Sequence, residues 1–308
     1  MRSPLGFFNA LSPNARGIIA TCMAMLGFIG TDSCIKLAAQ DLPVSQMIAM
    51  RGVAILSILI VLAYATGAHK KLPTLKDRAV GVRAISEVLG TLFYYGAIIV
   101  VPIAAANAVL QTIPLVIVAA AAILFGEKVG WRRWLIILVG FSGVLFIIQP
   151  GSEAFQPATL WALGAVVFYT LRDIVTRSID PELPAVSINL FTSAAVMMAG
   201  FVMAPFQDWV MPSGQALALL GLSALFLTMA YLTVTVAMRN GDVSVTSPFR
   251  YSIVLWALLV DLLVFGNRPD LLMLVGIVIV VGSGIAMILR ERQLRRQTGD
   301  EAASSDAS

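Results

Sequence analysis

The sequence predicts an all-α polytopic membrane protein, with ten transmembrane helices built as two inverted five-helix repeats. Three observations carry that prediction. Of the 308 residues, 59% are hydrophobic and only 12% charged, with a mean hydropathy of +0.90; a soluble domain has about 25% charged residues. Apolar runs long enough to cross a bilayer, about 20 residues as a helix, recur from Arg16 to Leu289. Short segments of the first half also return, in the same order, in the second.

Ten spans are predicted over 16–38, 44–65, 79–100, 103–124, 131–149, 158–177, 184–205, 215–237, 243–265 and 271–289. The breaks carry turn chemistry: DLP at 41–43, VP at 101–102, QPG at 149–151, ELP at 182–184 and MPSG at 211–214. The longest internal loop is ATGAHKKLPTLKDR. Without a split at Pro102, residues 79–124 would make one span far longer than a bilayer needs. The first segment holds Asp32 and Lys36 and lacks a clean A-x-A ending, so it reads as a retained span and not a cleaved signal.

With a cytoplasmic N-terminus, fifteen cations fall on the inner side, while the outer side receives only Lys36 and Arg268. This positive-inside bias places both termini in the cytoplasm. The domains expected are a segment at 1–15, a first repeat at 16–149, a periplasmic linker at 150–157, a second repeat at 158–289 and a cytoplasmic tail at 290–308. The polar tail TGDEAASSDAS reads as disordered.

Several function classes are excluded. Cys22 and Cys34 lie twelve residues apart in one predicted helix, about 18 Å of rise, too far to bridge. His69 is the sole histidine and falls in the loop run HKKLP. There is no H-E-x-x-H, G-x-S-x-G or Walker pattern. No catalytic residue, metal or cofactor is therefore expected. The formal charge of +4 does not point to nucleic acid, because the cations sit in short loops that hold orientation. The partners expected are membrane lipid and a small-molecule solute, with a homodimer compatible.

The internal repeat is carried by TDSCIKLAAQDLPVS (31–45), which lies without a gap on RDIVTRSIDPELPAV (172–186). Asp32 meets Asp173, Lys36 meets Arg177 and Pro43 meets Pro184. NAVLQTIP (107–114) likewise parallels GDVSVTSP (241–248), ending in Pro114 and Pro248. Five spans is an odd number, so the second copy enters the membrane from the other side. Inverted halves supply the two near-equivalent packings used in alternating access. A membrane scaffold that transports nothing would need no such inversion.

Charges inside spans need partners or water, since each costs about 3 kcal/mol at mid-membrane on insertion scales. Asp32 with Lys36, and Asp173 with Arg177, are i,i+4 neighbours. Each pair either neutralises itself at a helix end or latches a gate. Arg51 has no acid within reach on its own helix. It needs a partner on another helix or an anionic ligand. Glu87 is open to Arg51, a cationic solute or a proton. Arg83 and Arg172 lie close enough to the inner ends to snorkel.

Pro114 and Pro248 break helical ladders around Leu110 and Ser244. Such breaks are tolerated only against protein or a wet cavity, so the fourth and ninth spans are expected to line one. Asn107 and Gln111, Tyr231, and Arg250, Tyr251 and Trp256 are then candidates for the cavity wall. Helix–helix hydrogen bonding and packing is the competing reading for each. Asp261 is expected to reach the outer interface or pair with Lys36 or Arg268.

LQTIPLVIVAAAAILFGEKVGWRRWLIILVGFSGVLFIIQPG (110–151) and TSPFRYSIVLWALLVDLLVFGNRPDLLMLVGIVIVVGSGIAMILRER (246–292) resemble the drug/metabolite transporter superfamily, and within it the EamA-type bacterial family. The resemblance implies a bacterial inner-membrane protein that moves small organic solutes without hydrolysing ATP. It implies a central cavity lined by helices 1, 3, 4, 6, 8 and 9. Amino-acid-like zwitterions or anions fit Arg51 and Arg250 best; riboflavin or S-adenosylmethionine is the alternative. The family's LGE carboxylate falls on Glu127, while its second-half counterpart is Asn267 in this chain.

Overall fold

The computed structural model describes residues 12–71, 73, 77–126, 129–152, 155–180, 182–240 and 243–306. Helices dominate, and their ends follow local chemistry. Helix α1 (Pro13–Ala38) starts where the Ser12 hydroxyl accepts from the Ala15 amide at 3.3 Å. Helix α2 (Val44–Thr66) stops at Gly67, whose φ of 74° a side chain would resist. Helix α3 (Arg78–Val100) is capped by Asp77, whose carboxylate accepts from Ala79 and Val80 at 3.1 and 3.3 Å. The chain then breaks at Val101 and Pro102, as the sequence predicts.

Helix α4 is broken into Ile103–Leu110 and Ile113–Phe125. Pro114 cannot donate to the turn before it. At the break the Thr112 hydroxyl turns back to the Val109 carbonyl at 2.7 Å. Helices α5 (Trp131–Ile148), α6 (Thr159–Thr176), α7 (Ala185–Met203) and α8 (Gly214–Asn240) follow. Helix α9 is interrupted around Pro248: a short turn, Val243–Thr246, leads into the 3₁₀ stretch Ser247–Tyr251 and then Ser252–Leu263. Among the described residues, nine helices are long and apolar enough to cross a membrane, α4 counted whole. The interruption leaves no such uninterrupted length in α9.

Helix α10 runs from Leu271 to Asp306. It corrects the expectation of a disordered tail. Residues 290–306 are mostly Arg, Glu, Gln, Ala and other helix-compatible residues, with Gly299 as the only glycine and no proline. Once α10 is formed, the tail extends an existing helix and needs no new nucleus.

The helices pack in a regular order. α1 lies on α8, α3 on α6, α2 on α7, and α5 on α10, while the first part of α4 lies on the Ser252–Leu263 part of α9. Exchanging each helix for the one five places along maps this set of pairs onto itself. Small residues let the partners approach. A Cβ on Gly276 would stand 2.6 Å from the Gly143 carbonyl oxygen across α5–α10, and one on Gly200 would stand 2.6 Å from the Ala49 amide across α2–α7. Many large apolar residues are left bare, Ile123, Leu124, Leu263 and Leu271 among them. They suit a lipid environment.

Candidate solute-binding site

The polar groups inside the helix body are strung along α3. Arg83, Glu87 and Tyr94 follow at steps of four and seven, which places them on one face of the helix. Each reaches a different neighbour. Tyr95, next to Tyr94, extends the stripe to one side.

At one end of the stripe, three residues from three helices converge on a carboxylate. Asp32 of α1 is buried. It accepts from the Tyr94 hydroxyl at 2.5 Å and from the Asn107 amide of α4 at 3.2 Å. Asn107 also reaches the Tyr94 oxygen at 2.9 Å and the Ile103 carbonyl at 3.1 Å. Beside this cluster, Arg51 of α2 donates to the Tyr95 hydroxyl and lies 5.8 Å from that ring's centre. Arg51 Nε is buried without a hydrogen-bond partner. Among the described residues, no carboxylate lies within ion-pair distance of Arg51. Asp32 lies within its electrostatic reach.

Further along, Arg172 of α6 stacks over the Tyr169 ring at 4.5 Å. It donates to Glu87 at 3.3 Å and to Asp173 at 2.7 Å. Arg83 reaches across to α6 and α7, donating to Thr176 at 3.0 Å, Thr192 at 2.5 Å and Asn189 at 3.3 Å. Tyr231 of α8 stands among these groups, within electrostatic reach of Glu87, Arg172, Arg51 and Arg83. It is nonetheless 49% exposed, with Phe28 of α1 edge-on at 5.8 Å. The ring edge is thus open while its neighbours are the interior charges.

The structure thus brings Arg51, Asp32, Asn107, Glu87 and Tyr231 into one connected region and leaves other candidates outside it. Gln111 sits at the α4 break, where its amide closes the turn to Asn107 at 3.1 Å. Arg250 and Tyr251 lie on the 3₁₀ stretch of α9, packed on α1 and α10. Arg250 is exposed, while Tyr251 is buried, its ring where a side chain on Gly284 would be. Trp256 ties α9 to α1, donating to the Cys22 carbonyl at 3.1 Å. Phe249, beside Arg250, is 39% exposed. Pro114 and Pro248 stand at the two helix breaks.

Several pairings differ from the sequence expectation. Asp32 and Lys36 do not pair. Lys36 instead donates to the Val101 carbonyl at 2.5 Å and lies 5.3 Å from the centre of the Phe265 ring. Asp173 pairs with its neighbour Arg172, and Arg177 is exposed. The i,i+4 spacing permits a pair, but Asp32 and Lys36 meet partners on other elements, and Asp173 meets the residue just before it. Arg172 and Arg83 turn inward instead of snorkelling, because Glu87 and the polar face of α7 meet them. Asp261 reaches neither the interface nor an ion pair. It is 1% exposed and accepts from the Ile103 and Ala104 amides at 3.1 and 2.7 Å. The carboxylate satisfies the free N–H groups at the start of α4, where the helix dipole favours negative charge. Asn267 closes the same corner, its amide donating to the Asp261 carbonyl at 2.9 Å. Glu127 and Lys128 lie outside the described residues.

Tyr94, Tyr95 and Tyr169 are site residues that the sequence reading passed over, and Arg172 enters it only as a cation able to snorkel. The run FYY at 93–95 carried a signal, as two adjacent hydroxyl-bearing rings within one span.

Ten packed helices among the described residues, with glycines at their contacts and charged groups in the interior, define a polytopic all-α membrane protein. The model of the EamA-like transporter family matches the chain twice, over residues 15–149 and 156–290. The chain belongs to that family, part of the drug/metabolite transporter superfamily. Its members are transporters of small solutes and not enzymes. The chain is 27% identical to an S-adenosylmethionine uptake transporter of Rickettsia felis, over 66% of this chain and 71% of that protein. It is 25% identical to a riboflavin transporter of Rhizobium johnstonii, over 70% and 71%. A solved crystal structure superposes with a TM-score of 0.63 at 19% identity, covering 91% of this chain and 99% of that one, and shares the fold.

Proposed function

We propose that this protein carries a small amino-acid-like metabolite, zwitterionic or anionic, across a bacterial inner membrane by alternating access, without ATP. The observation that carries the substrate class is Arg51. It is an interior cation held by a tyrosine, with no carboxylate in ion-pair contact among the described residues. A solute carboxylate would supply the missing partner. Arg250, further from the cluster on its exposed turn, would assist entry more than binding.

Alternating access draws support from the pairing order, which is unchanged when the halves are exchanged. The two family matches, each spanning five helices, support it too. An odd helix number per half gives inverted halves and two cytoplasmic termini. The second reading is a cofactor-like solute, S-adenosylmethionine or riboflavin, because relatives carry those names.

Counterflow in proteoliposomes tests the reading, using labelled S-adenosylmethionine, riboflavin and a set of amino acids, with no nucleotide present. Exchange of an amino-acid-type solute is expected. Exchange of riboflavin or S-adenosylmethionine without any amino acid would favour the second reading, and exchange of none would refute both.

A further inference from the structure

We propose that Asp32 is the proton-binding site through which this transporter is driven. The inference rests on the transporter reading and adds the coupling ion to it. Among the described residues, interior carboxylates fall into three kinds. Glu87 and Asp173 are ion-paired to Arg172. Asp261 is held by two amides at the start of α4. Asp32 alone of these is buried and held only by neutral side chains, Tyr94 and Asn107. Neutral donors can serve either protonation state, since a hydroxyl can turn and accept as well as donate. An ion pair or a helix N-terminus, by contrast, locks the charge in place. Carboxylates of the unlocked kind mark proton relays in membrane proteins.

The groups around Asp32 fit this role. Lys36, on the same helix, is engaged by the Val101 carbonyl. α3 presents Tyr94 and α4 presents Asn107. α6 brings Tyr169, whose ring centre lies 6.4 Å from that of Tyr94. α8 contributes the Ser223 carbonyl, which takes the Thr31 hydroxyl at 3.1 Å. α2 brings Arg51, within electrostatic reach but outside ion-pair contact. Tyr94 and Tyr95 are consecutive, so the proton site and the proposed solute cation hang from adjacent residues of one helix. A change of charge at either is felt at the other, and binding at the two sites is reciprocally coupled.

Infrared difference spectra of the full chain in liposomes, recorded while pH is stepped, test the site without any substrate. A protonated-carboxyl band that titrates is expected in the wild type and in Asp173→Asn, and its loss in Asp32→Asn. Tyr94→Phe should keep the band and move its midpoint by about one pH unit, the size of one hydrogen bond to a charged group. A second arm uses labelled S-adenosylmethionine. Asp32→Asn should lose accumulation driven by a pH gradient yet keep counterflow. If no variant carries S-adenosylmethionine, that substrate assignment fails while the infrared arm still decides Asp32. A titrating band that survives in Asp32→Asn, or counterflow lost together with accumulation, would overturn the proposal.

Discussion

Asp32 and Asp173 occupy matching places in the two halves, 141 residues apart, and live in opposite surroundings. The residue just before each accounts for the difference. Thr31 precedes Asp32 and spends its hydroxyl on the Ser223 carbonyl of α8. Arg172 precedes Asp173, pairs with it at 2.7 Å and reaches Glu87 at 3.3 Å. Where the second half fixes its carboxylate with a cation, the first half leaves Asp32 to tyrosine and asparagine. A repeated backbone therefore does not carry a repeated chemistry. One substitution per half turns a pair of equivalent acids into an anchored ion pair and a free-standing group. The same divergence recurs at Arg51, whose counterpart 141 residues on is Thr192. There the sense is reversed: the first half has the cation and the second half a threonine.

This contrast can be broken in order of effect. Arg51→Gln removes the interior cation from the free-standing side. Truncating one partner of a buried charge pair costs about 2–5 kcal/mol, so the apparent affinity for an amino-acid solute should fall about thirtyfold or more. Counterflow rates against solute concentration would show it. Arg172→Thr gives the second half the residue type of the first and strands Glu87 and Asp173. Both carboxylates are partly exposed, at 24% and 38%. The loss should therefore be about 1–3 kcal/mol, below the range for a fully buried pair. It should appear as a lower melting temperature, and adding Glu87→Gln should recover part of it. Gly276→Leu tests the scaffold common to both sides. A side chain against the Gly143 carbonyl should cost about 1–3 kcal/mol by overpacking, read as thermal stability of the detergent-solubilised protein. Arg250→Ala should lower uptake of a carboxylate solute by about fivefold or less, since solvent screens an exposed charge to about 1 kcal/mol. Arg177→Ala should change stability by less than about 0.5 kcal/mol, because Arg177 is exposed and Asp173 already has its partner.

Much of the helix layout was legible in the sequence, because a span of lipid-facing residues must be apolar and its breaks must carry turn formers. Val101–Pro102, the Gln111 break before Pro114 and the Pro248 turn all follow from what proline denies to a helix. The side-chain partners were less legible. Lys36, Arg172 and Asp261 each had a plausible partner within four residues or at the nearest interface, and each took one on another helix. Periodicity reports which face a residue occupies, not which neighbour meets it. Asp261 at the start of α4 is the clearest instance, since its two amide donors lie 157 and 158 residues away along the chain. The continuous α10 tail was missed for a different reason. Polar composition was read as disorder, while the helix formers Arg290–Arg296 stood directly behind a completed span.

Alternating access, as proposed, would open the polar interior to each side of the membrane in turn, and Tyr231 stands beside its charged groups. With Cys22 and Cys34 replaced by alanine, Tyr231→Cys can be labelled with a membrane-impermeant thiol reagent in inside-out and right-side-out vesicles. Modification from both faces, slowed by a transported solute, is the result alternating access predicts. Modification from one face only, at a rate no solute alters, would contradict it.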